Sequence, residues 1–310
     1  MTMTRLAVIG AGAWGQALAL HAARAGLDPV LWARTPTRLD LPRLGRSGVR
    51  IATALPEAAL TLLAVPVQHL RAIARNLPPG PVLACCKGIE ATTLRLPLEI
   101  LADLDPTRPA GLLTGPNFAH EIAQNLPAAA VVASTHRSLR ATALATLATP
   151  NFRLYGNDDP IGAQIGGAAK NVVAIAAGVT IGAGLGENAR AALVTRGLAE
   201  LTRLAIALGG RRETLAGLSG LGDLLLTCTG PTSRNFSLGH ALGQGRSLET
   251  ILAARTEITE GVATAPALLA RATEAHVTMP ICAAVAALVT GTLTVPEAIA
   301  AIQARPLRDE

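Results

Sequence analysis

The chain has 310 residues, of which 50% are hydrophobic, 15% are charged and 2% are aromatic, and its formal net charge is +6. This length allows two domains with a sizeable core, and the even spread of Ala, Gly, Leu and Val argues against an integral membrane segment. Scattered arginines and few aromatic rings argue against nucleic-acid binding, whereas a positive charge suits small anionic ligands.

The first predicted strand, residues 6–9, runs directly into a glycine turn. Residues 10–15 fit the pattern G-x-G-x-x-G, with glycine at Gly10, Gly12 and Gly15. A predicted helix over 16–25 and a second strand over 30–32 complete a βαβ unit of about thirty residues. Such glycines let the backbone approach a pyrophosphate at the helix N-terminus, so we predict a dinucleotide site. The alternative is a glycine turn without a ligand.

Arg34 occupies the place, after the second strand, where an acidic residue would bind the ribose 2′-hydroxyl of NAD. A guanidinium cannot accept that hydrogen bond but can bind a 2′-phosphate, so the sequence favours NADPH, with NADH possible. Because the first strand begins within ten residues of Met1, we expect no signal peptide and a cytoplasmic protein. The four cysteines lack C-x-x-C spacing, so no metal site is expected.

Further apolar strands are predicted over 60–65, 82–86, 111–113, 129–134 and 152–155, followed only by helices. The first three of these end in turns at Pro66, Lys87 and Thr114, and we expect those turns to meet along one edge of a parallel sheet. The predicted helices cover about 161–180 and 188–208, with a turn around 217–222. We therefore predict a dinucleotide-binding domain over 1–157 and a helical substrate domain over 158–310.

Lys170 is the one charged side chain in residues 160–186. An ammonium group buried among Ala, Ile, Val and Gly pays a large desolvation cost, and that cost also moves its pKa downward, toward the range useful for proton transfer. Lys170 is therefore the first catalytic candidate. The alternative is a lysine that extends from the end of an apolar helix to solvent.

Two polar groups later in the chain are further candidates. Asp223 lies in a glycine-rich turn and could orient Lys170, or it could simply cap a helix. Ser233, Arg234 and Asn235 offer a cation between two neutral donors, as a phosphate dianion requires. The alternative for this triplet is a helix start with a solvated arginine. Histidine is not implicated, because His120 and Glu121 lack the second histidine of a zinc motif.

Four separated blocks resemble the bacterial-type NAD(P)-dependent glycerol-3-phosphate dehydrogenases. The blocks are residues 10–15; 87–90 with 115–119; 166–171; and 220–223 leading to 233–235. The resemblance implies reversible hydride transfer between NAD(P)H and dihydroxyacetone phosphate, giving sn-glycerol 3-phosphate for phospholipid synthesis. It also implies an α/β Rossmann-like domain followed by an all-α domain, a 6-phosphogluconate dehydrogenase-like build, and a homodimer.

The resemblance also assigns roles to individual residues. Lys170 matches the catalytic proton acceptor, Lys87 a residue touching both cofactor and substrate, and Asp223 a residue of the catalytic and substrate site. The matched substrate positions are Lys87, Gly115, Asn117, Lys170, Asp223, Ser233, Arg234 and Asn235. The matched cofactor positions, beyond the three glycines, are Ala13, Trp14, Arg34, Lys87, Ala119, Arg234, Ile258 and Glu260.

Two rival functions remain open. A ketopantoate reductase or β-hydroxyacid dehydrogenase has the same two-domain build but needs a carboxylate site. A non-catalytic NADP-binding sensor would keep the fold without turnover, but the presence of Lys170 and Arg234 counts against it. The chain also departs from the family pattern in a shortened segment between Arg34 and Leu60, in Val67 where serine is common, and in Asn117 where Ser or Thr is usual.

Overall fold

The structure is a computed structural model that describes residues 4–35, 39, 41–255 and 259–306. The chain forms two compact units. The N-terminal unit comprises Met1–Lys87 and Arg95–Gln164, and the C-terminal unit comprises Gly88–Leu94 and Ile165–Glu310. The predicted boundary after residue 157 lies seven residues before this division. The sequence also gave no sign that residues 88–94 belong with the second unit.

In its described residues, the N-terminal unit contains an eight-stranded sheet and six complete helices. The strands are β1 Arg5–Ile9, β2 Asp28–Trp32, β3 Arg50–Ala52, β4 Leu60–Leu63, β5 Val82–Ala84, β6 Ala110–Thr114, β7 Ala128–Ala133 and β8 Phe152–Asn157. The helices are α1 Ala13–Arg24, α2 Leu41–Arg46, α3 Val67–Ala74, α4 Pro97–Leu104, α5 Ala119–Ala123 and α6 Arg137–Leu147.

The strand order is β3-β2-β1-β4-β5-β6-β7-β8, and every neighbouring pair is parallel except β6 and β7. The seven predicted strands are all present, but β3 was missed because it has only three residues, none of them fully buried. The reversal at β7 was also unforeseen. Its connection contains only the five-residue α5, about 7.5 Å long, which is too short to carry the chain back along the sheet.

The strand order reverses at β1, which has β2 on one side and β4 on the other. In open α/β sheets, ligands bind at the carboxyl ends of the strands beside such a switch point. The core on one face of the sheet is formed by side chains of the strands together with α1, α5 and α6, and it includes Leu18, Leu113, Ile122 and Leu139. This packing fixes the loops at the carboxyl ends of β1 and β6.

Helix α7, Pro160–Gly182, starts in the N-terminal unit and continues into the C-terminal unit. Its first turn belongs with the sheet because the side-chain oxygen of Gln164 accepts a 2.8 Å hydrogen bond from the backbone N–H of Leu98 in α4. The remaining helices are α8 Gly186–Ala207, α9 Arg212–Ala216, α10 Asp223–Cys228, α11 Arg234–Gly243, α12 Leu248–Ala253, α13 Glu260–Glu274, α14 Pro280–Val289 and α15 Val295–Gln303, with a π-helical segment at Leu218–Gly222.

By length and composition, α7 could cross a membrane, and it is the one helix of that kind in the described part of the chain. In the structure, 89% of its most apolar window is buried inside the protein. The core helices of globular proteins show the same property. The apolar character of α7 is therefore accounted for by its packing within the chain.

Four glycines bring α7 and α11 into backbone contact. A Cβ atom built on Gly178 would lie 2.1 Å from the carbonyl oxygen of Phe236, and one on Gly182 would lie 2.1 Å from that of His240. From the other helix, a Cβ on Gly239 would lie 2.0 Å from the carbonyl oxygen of Ile175, and one on Gly243 would lie 2.5 Å from that of Val179. We call this contact the glycine seam.

Candidate active site

The loop after β1 uses its three glycines in two different ways. A Cβ atom on Gly10, where φ is +110°, would lie 2.6 Å from the carbonyl oxygen of Ala64, and one on Gly15 would lie 1.7 Å from that of Gly10. A Cβ on Gly12 would meet no atom within 4 Å. Gly10 and Gly15 are thus required by packing, whereas Gly12 faces the open space that a pyrophosphate needs.

The N-terminus of α1 lies beside this open space. Its N-cap residue is Gly12, which offers no side chain to the first backbone N–H groups, and its first turn contains no acidic residue. Ala13 is exposed and Trp14 is half-buried. Free N–H groups and the helix dipole favour an anion at this position, so the residues present fit a dinucleotide.

Three further predicted cofactor positions in the described part of the chain lie on a loop or at a helix start. Arg34 is exposed two residues after β2, and Ala119 is the half-buried first residue of α5. Glu260 is the half-buried first residue of α13, in the C-terminal unit. Ile258 lies outside the described residues.

The loop after β6 brings together three predicted substrate residues. Lys87 Nζ donates a 3.2 Å hydrogen bond to the carbonyl oxygen of Gly115, where φ is +135°. A Cβ on Gly115 would lie 3.1 Å from Ala130 Cα, so the close approach of β7 favours glycine here. Asn117 Nδ2 donates a 3.2 Å hydrogen bond to the carbonyl oxygen of Ala129. Both polar side chains are thereby held at the carboxyl end of β6.

Lys170 lies in the middle of α7 and forms a buried ion pair. Its Nζ donates hydrogen bonds to Asp223 Oδ1 and, over 2.9 Å, to Thr227 Oγ1. Lys170 is 7% exposed and Asp223 is fully buried. The alternative of a lysine reaching solvent is therefore wrong, and so is that of Asp223 as a simple helix cap. The carboxylate supplies the compensation that a buried ammonium requires.

The π-helical segment places Asp223 against Lys170. A Cβ on Gly166, one turn before Lys170 on α7, would lie 2.4 Å from the carbonyl oxygen of Ser219, and this contact holds the segment against α7. Asp223 follows at the start of α10, and Thr227 Oγ1 donates a 2.6 Å hydrogen bond to the carbonyl oxygen of Asp223. The predicted turn is thus a wide helical turn, of a kind common at functional sites.

Ser233, Arg234 and Asn235 begin α11. Ser233 Oγ caps the helix by accepting a hydrogen bond from the backbone N–H of Phe236, so the helix-start interpretation holds for Ser233. Arg234 is exposed at the first helical position. Arg255 donates a 2.8 Å hydrogen bond to the carbonyl oxygen of Arg234. Burial, and next the charge of Arg234, lower the pKa of Arg255, which places two cations near this helix start.

Asn235 is buried in a chain of hydrogen bonds that links three helices. Its Nδ2 donates a 2.9 Å hydrogen bond to Asn171 Oδ1, and its Oδ1 accepts a 3.0 Å hydrogen bond from the backbone N–H of Gly261. Asn171 follows Lys170 on α7, and Gly261 follows Glu260 on α13. These hydrogen bonds therefore fix predicted site residues of both α7 and α13 relative to α11.

Three polar residues around the site were not predicted from the sequence: Thr227, Asn171 and Arg255. Thr227 could have been found, because it lies four residues after Asp223 and so on the same face of a helix. Asn171 belongs to a block that marks the family. Arg255 has no comparable signal, since its partners on α11, Arg234 and Ser237, lie 21 and 18 residues earlier in the chain.

Within the described residues, no group of three His, Cys, Asp or Glu side chains could hold a metal ion. The four cysteines are free thiols. Burial raises the pKa of Cys85, and it raises the pKa of Cys228 to about 12. Thiols with raised pKa values are poor nucleophiles at neutral pH. The polar chemistry of the candidate site is therefore carried by lysine, aspartate and amide side chains.

A dinucleotide-binding sheet followed by a helical unit with a buried lysine is the build of the two-domain NAD(P)-dependent dehydrogenases. The model of the NAD-dependent glycerol-3-phosphate dehydrogenase N-terminus matches residues 5–44 and 41–140, and that of the C-terminus matches residues 159–300. The chain belongs to this family.

Relatives and solved structures agree with this assignment. The chain is 51% identical over 319 residues to the glycerol-3-phosphate dehydrogenase (NAD(P)+) of Gluconobacter oxydans, with 98% of each chain covered. It is 52% identical over 319 residues to that of Acidiphilium cryptum, again covering 98% of each. The crystal structure of glycerol-3-phosphate dehydrogenase from Coxiella burnetii superposes with a TM-score of 0.92, 33% identity and coverage of 98% and 99%.

The predicted family, the Rossmann-like domain followed by a helical domain, the enzyme class and the NAD(P) cofactor class are confirmed. The roles of individual residues stay predictions. The structure brings the matched residues together as three local groups: the loop after β1, the loop after β6 with Lys87, and the polar groups of α7, α10 and α11.

Proposed function

We propose that the chain catalyses reversible hydride transfer between NAD(P)H and dihydroxyacetone phosphate, giving sn-glycerol 3-phosphate for glycerophospholipid synthesis. The observation that carries this proposal is the buried pair of Lys170 and Asp223, supported by Thr227. A charged pair in an apolar core is seldom a gain in stability over apolar packing, so a functional reason is favoured. The names of the relatives support the choice of substrate.

Lys170 acts as the proton donor and acceptor. When bound, the nicotinamide supplies a hydride to the keto carbon, or accepts it in the reverse direction. The Lys170 ammonium stabilises the developing alkoxide and transfers one proton from Nζ to it, leaving a neutral amine that is reprotonated before the next turnover. Asp223 and Thr227 fix the position of Nζ through their two hydrogen bonds.

The remaining predicted residues bind the anionic parts of the two ligands. Arg234, with Arg255 close by, provides positive charge for the substrate phosphate, and Ser233 and Asn235 hold the helix start in place. The open space at Gly12 takes the pyrophosphate. Lys87, held by the carbonyl oxygen of Gly115, provides a cation at the carboxyl end of β6.

The test is to follow NADPH oxidation with dihydroxyacetone phosphate, with ketopantoate, with a β-ketoacid and with buffer alone. We expect turnover with dihydroxyacetone phosphate and little with the others. Turnover with ketopantoate or the β-ketoacid instead would favour one of the related reductases. Tight NADPH binding without any turnover would favour a sensor.

The cofactor preference depends on Arg34. Because a guanidinium binds a 2′-phosphate, we expect NADPH to be preferred to NADH. Arg34→Asp should raise the Michaelis constant for NADPH by about tenfold or more, the equivalent of about 1.4 kcal/mol, and change that for NADH much less. Arg153, which stacks over Tyr155 on β8, offers a matched control as Arg153→Asp. Equal catalytic efficiency of wild type with both cofactors would contradict the assignment.

We further propose a cytoplasmic homodimer. The family resemblance supports the dimer, and the reduced thiols Cys85, Cys86, Cys228 and Cys282 suit a reducing compartment. Light scattering after size-exclusion chromatography should give twice the chain mass of 31.6 kDa. A mass of one chain at micromolar concentration would contradict the dimer.

A further inference from the structure

Thr114, the last residue of β6, carries a buried hydroxyl group without a partner. The residue is 6% exposed, and its Oγ1 is inaccessible and makes no hydrogen bond. Most buried polar atoms in folded proteins have a partner, so each exception calls for an explanation. A ligand that supplies the missing partner is one such explanation.

The position of Thr114 fits a ligand-binding role. Side chains alternate along a strand, and Leu113 belongs to the core beneath α1, α5 and α6. Thr114 therefore projects from the opposite face, at the carboxyl end of β6, where ligands of such sheets bind. The next residue is Gly115, whose carbonyl oxygen accepts the hydrogen bond from Lys87 Nζ. The hydroxyl group without a partner is thus on the residue next to a predicted substrate-binding residue.

A second buried oxygen, in the loop just after β6, also lacks a partner. Asn117 Oδ1 makes no hydrogen bond, while its Nδ2 donates to the carbonyl oxygen of Ala129 and fixes the orientation of the amide. In the described part of the chain, two other buried hydroxyls without partners, on Ser219 and Thr264, belong to the C-terminal unit. The pair at Thr114 and Asn117 therefore lies in the N-terminal unit, at the carboxyl end of β6 and in the loop after it.

The chemistry of this pair specifies what it would bind. An amide oxygen only accepts hydrogen bonds, so Asn117 Oδ1 requires an O–H or N–H group, whereas a threonine hydroxyl can donate or accept. A ligand hydroxyl satisfies both, because it can donate to Asn117 Oδ1 and bond to Thr114 Oγ1. Dihydroxyacetone phosphate carries such a primary hydroxyl at the end opposite its phosphate. A methyl group there would leave both oxygens unpaired.

We infer that Thr114 is an additional substrate-binding residue, which acts with Asn117 to select ketose phosphates bearing a free primary hydroxyl. This inference rests on the proposed function. A site built to bond a substrate hydroxyl discriminates strongly against the analogue without it, because its own polar groups stay unpaired.

The experiment compares kcat/KM for dihydroxyacetone phosphate and for hydroxyacetone phosphate, which has a methyl group in place of the hydroxymethyl group. Thr114→Val should lower kcat/KM for dihydroxyacetone phosphate by about tenfold or more and leave that for the methyl analogue within about twofold. Thr114→Ser should restore the preference. Thr180→Val is the matched control, because the buried Thr180 hydroxyl already donates to the carbonyl oxygen of Ala176 and should not affect selectivity.

Thermal unfolding separates binding from a structural role. If the Thr114 hydroxyl has no partner in the protein, Thr114→Val should keep or raise the melting temperature. A clear fall in melting temperature, or an equal loss of kcat/KM for both substrates, would overturn the inference. The inference would also be overturned if wild type and Thr114→Val were both active and had the same ratio of kcat/KM for the two substrates. If wild type does not reduce dihydroxyacetone phosphate at all, the proposed function fails first and this inference fails with it.

Discussion

The two units use glycine for opposite purposes. In the N-terminal unit, Gly10 and Gly15 draw the backbone of one loop together and leave open space in front of Gly12. In the C-terminal unit, the glycine seam removes the space between α7 and α11. Both regions have a glycine-rich sequence next to a predicted site residue. Glycine content therefore indicates close backbone approach in both regions, and only the neighbouring atoms show whether room for a ligand results.

The largest expected effect comes from adding a single carbon atom to the seam. In Gly239→Ala the new Cβ would lie 2.0 Å from the carbonyl oxygen of Ile175, which is backbone and cannot rotate away. We expect a loss of more than about 4 kcal/mol in the free energy of unfolding, or no folded protein. Gly230→Ala is the control, since a Cβ there meets no atom within 4 Å. Similar denaturation midpoints for the two variants would show that α7 and α11 are not in close backbone contact.

Lys170 lies two turns before the glycine seam on α7. Its substitution tests whether this closely packed part of the C-terminal unit also contributes to catalysis. Lys170→Met should lower kcat by about 10²–10⁴, the usual share of general acid–base catalysis. It should also destabilise the fold by about 3–5 kcal/mol, because Asp223 is left buried without its partner.

The double variant Lys170→Met, Asp223→Leu separates these two effects. It removes both buried charges and should recover most of the stability while kcat stays low. Cofactor binding, measured by quenching of NADPH fluorescence, should remain close to that of wild type. Near-normal turnover in a folded Lys170→Met protein would refute the proposed proton transfer.

The open space in front of Gly12 can be tested by placing a side chain in it. Gly12 has φ −66° and ψ 176°, which other residues adopt readily, and its Cβ would meet no protein atom. Gly12→Val should therefore have a melting temperature within a few degrees of that of wild type. It should bind NADPH about tenfold or more weakly, equivalent to about 1.4 kcal/mol. Gly230→Val should change neither property. Unimpaired NADPH binding by Gly12→Val would show that the space is not the pyrophosphate site.

The smallest expected effect is a pH dependence of stability, and it arises from a difference between the buried titratable groups of the two units. The C-terminal unit pairs its buried Lys170 with a carboxylate, whereas His21 in α1 is 2% exposed and bonds the carbonyl oxygen of Leu147 over 2.7 Å. Burial lowers the pKa of His21, only partly offset by that hydrogen bond, so the folded state favours the neutral ring more than the unfolded chain does. As the pH falls through about 6.5, the unfolded chain therefore binds more protons at this ring than the folded chain does.

The free energy of unfolding should therefore fall as the pH decreases below about 6.5, by at most about 1.4 kcal/mol for each pH unit. His21→Gln keeps a donor for the carbonyl oxygen of Leu147 but does not titrate, so it should flatten this slope. Urea denaturation at pH 7.5, 6.5 and 5.5 measures it, with exposed His136→Gln as the control. An unchanged slope in His21→Gln would assign the effect to another group.

The sequence predicted most of the fold because its signals are local. Seven strands follow from apolar runs, and Lys170 is conspicuous as one charge in a long apolar segment. The partners of these residues depend on long-range packing. Thr227 and Asn235 lie 57 and 64 residues after Lys170 and Asn171, respectively, and no local pattern joins them. The reversal of β7 likewise follows from a connection whose helix is too short, which apolar periodicity does not reveal.

The assignment of residues 88–94 to the C-terminal unit has a consequence for how such a protein can be rearranged in evolution or in the laboratory. Lys87 and Arg95, on either side of this segment, both belong to the N-terminal unit. A single crossover between two related genes near codon 160 would therefore combine one parent's segment with the other parent's helices. Chimaeras should succeed only when residues 88–94 are taken from the same parent as residues 165–310.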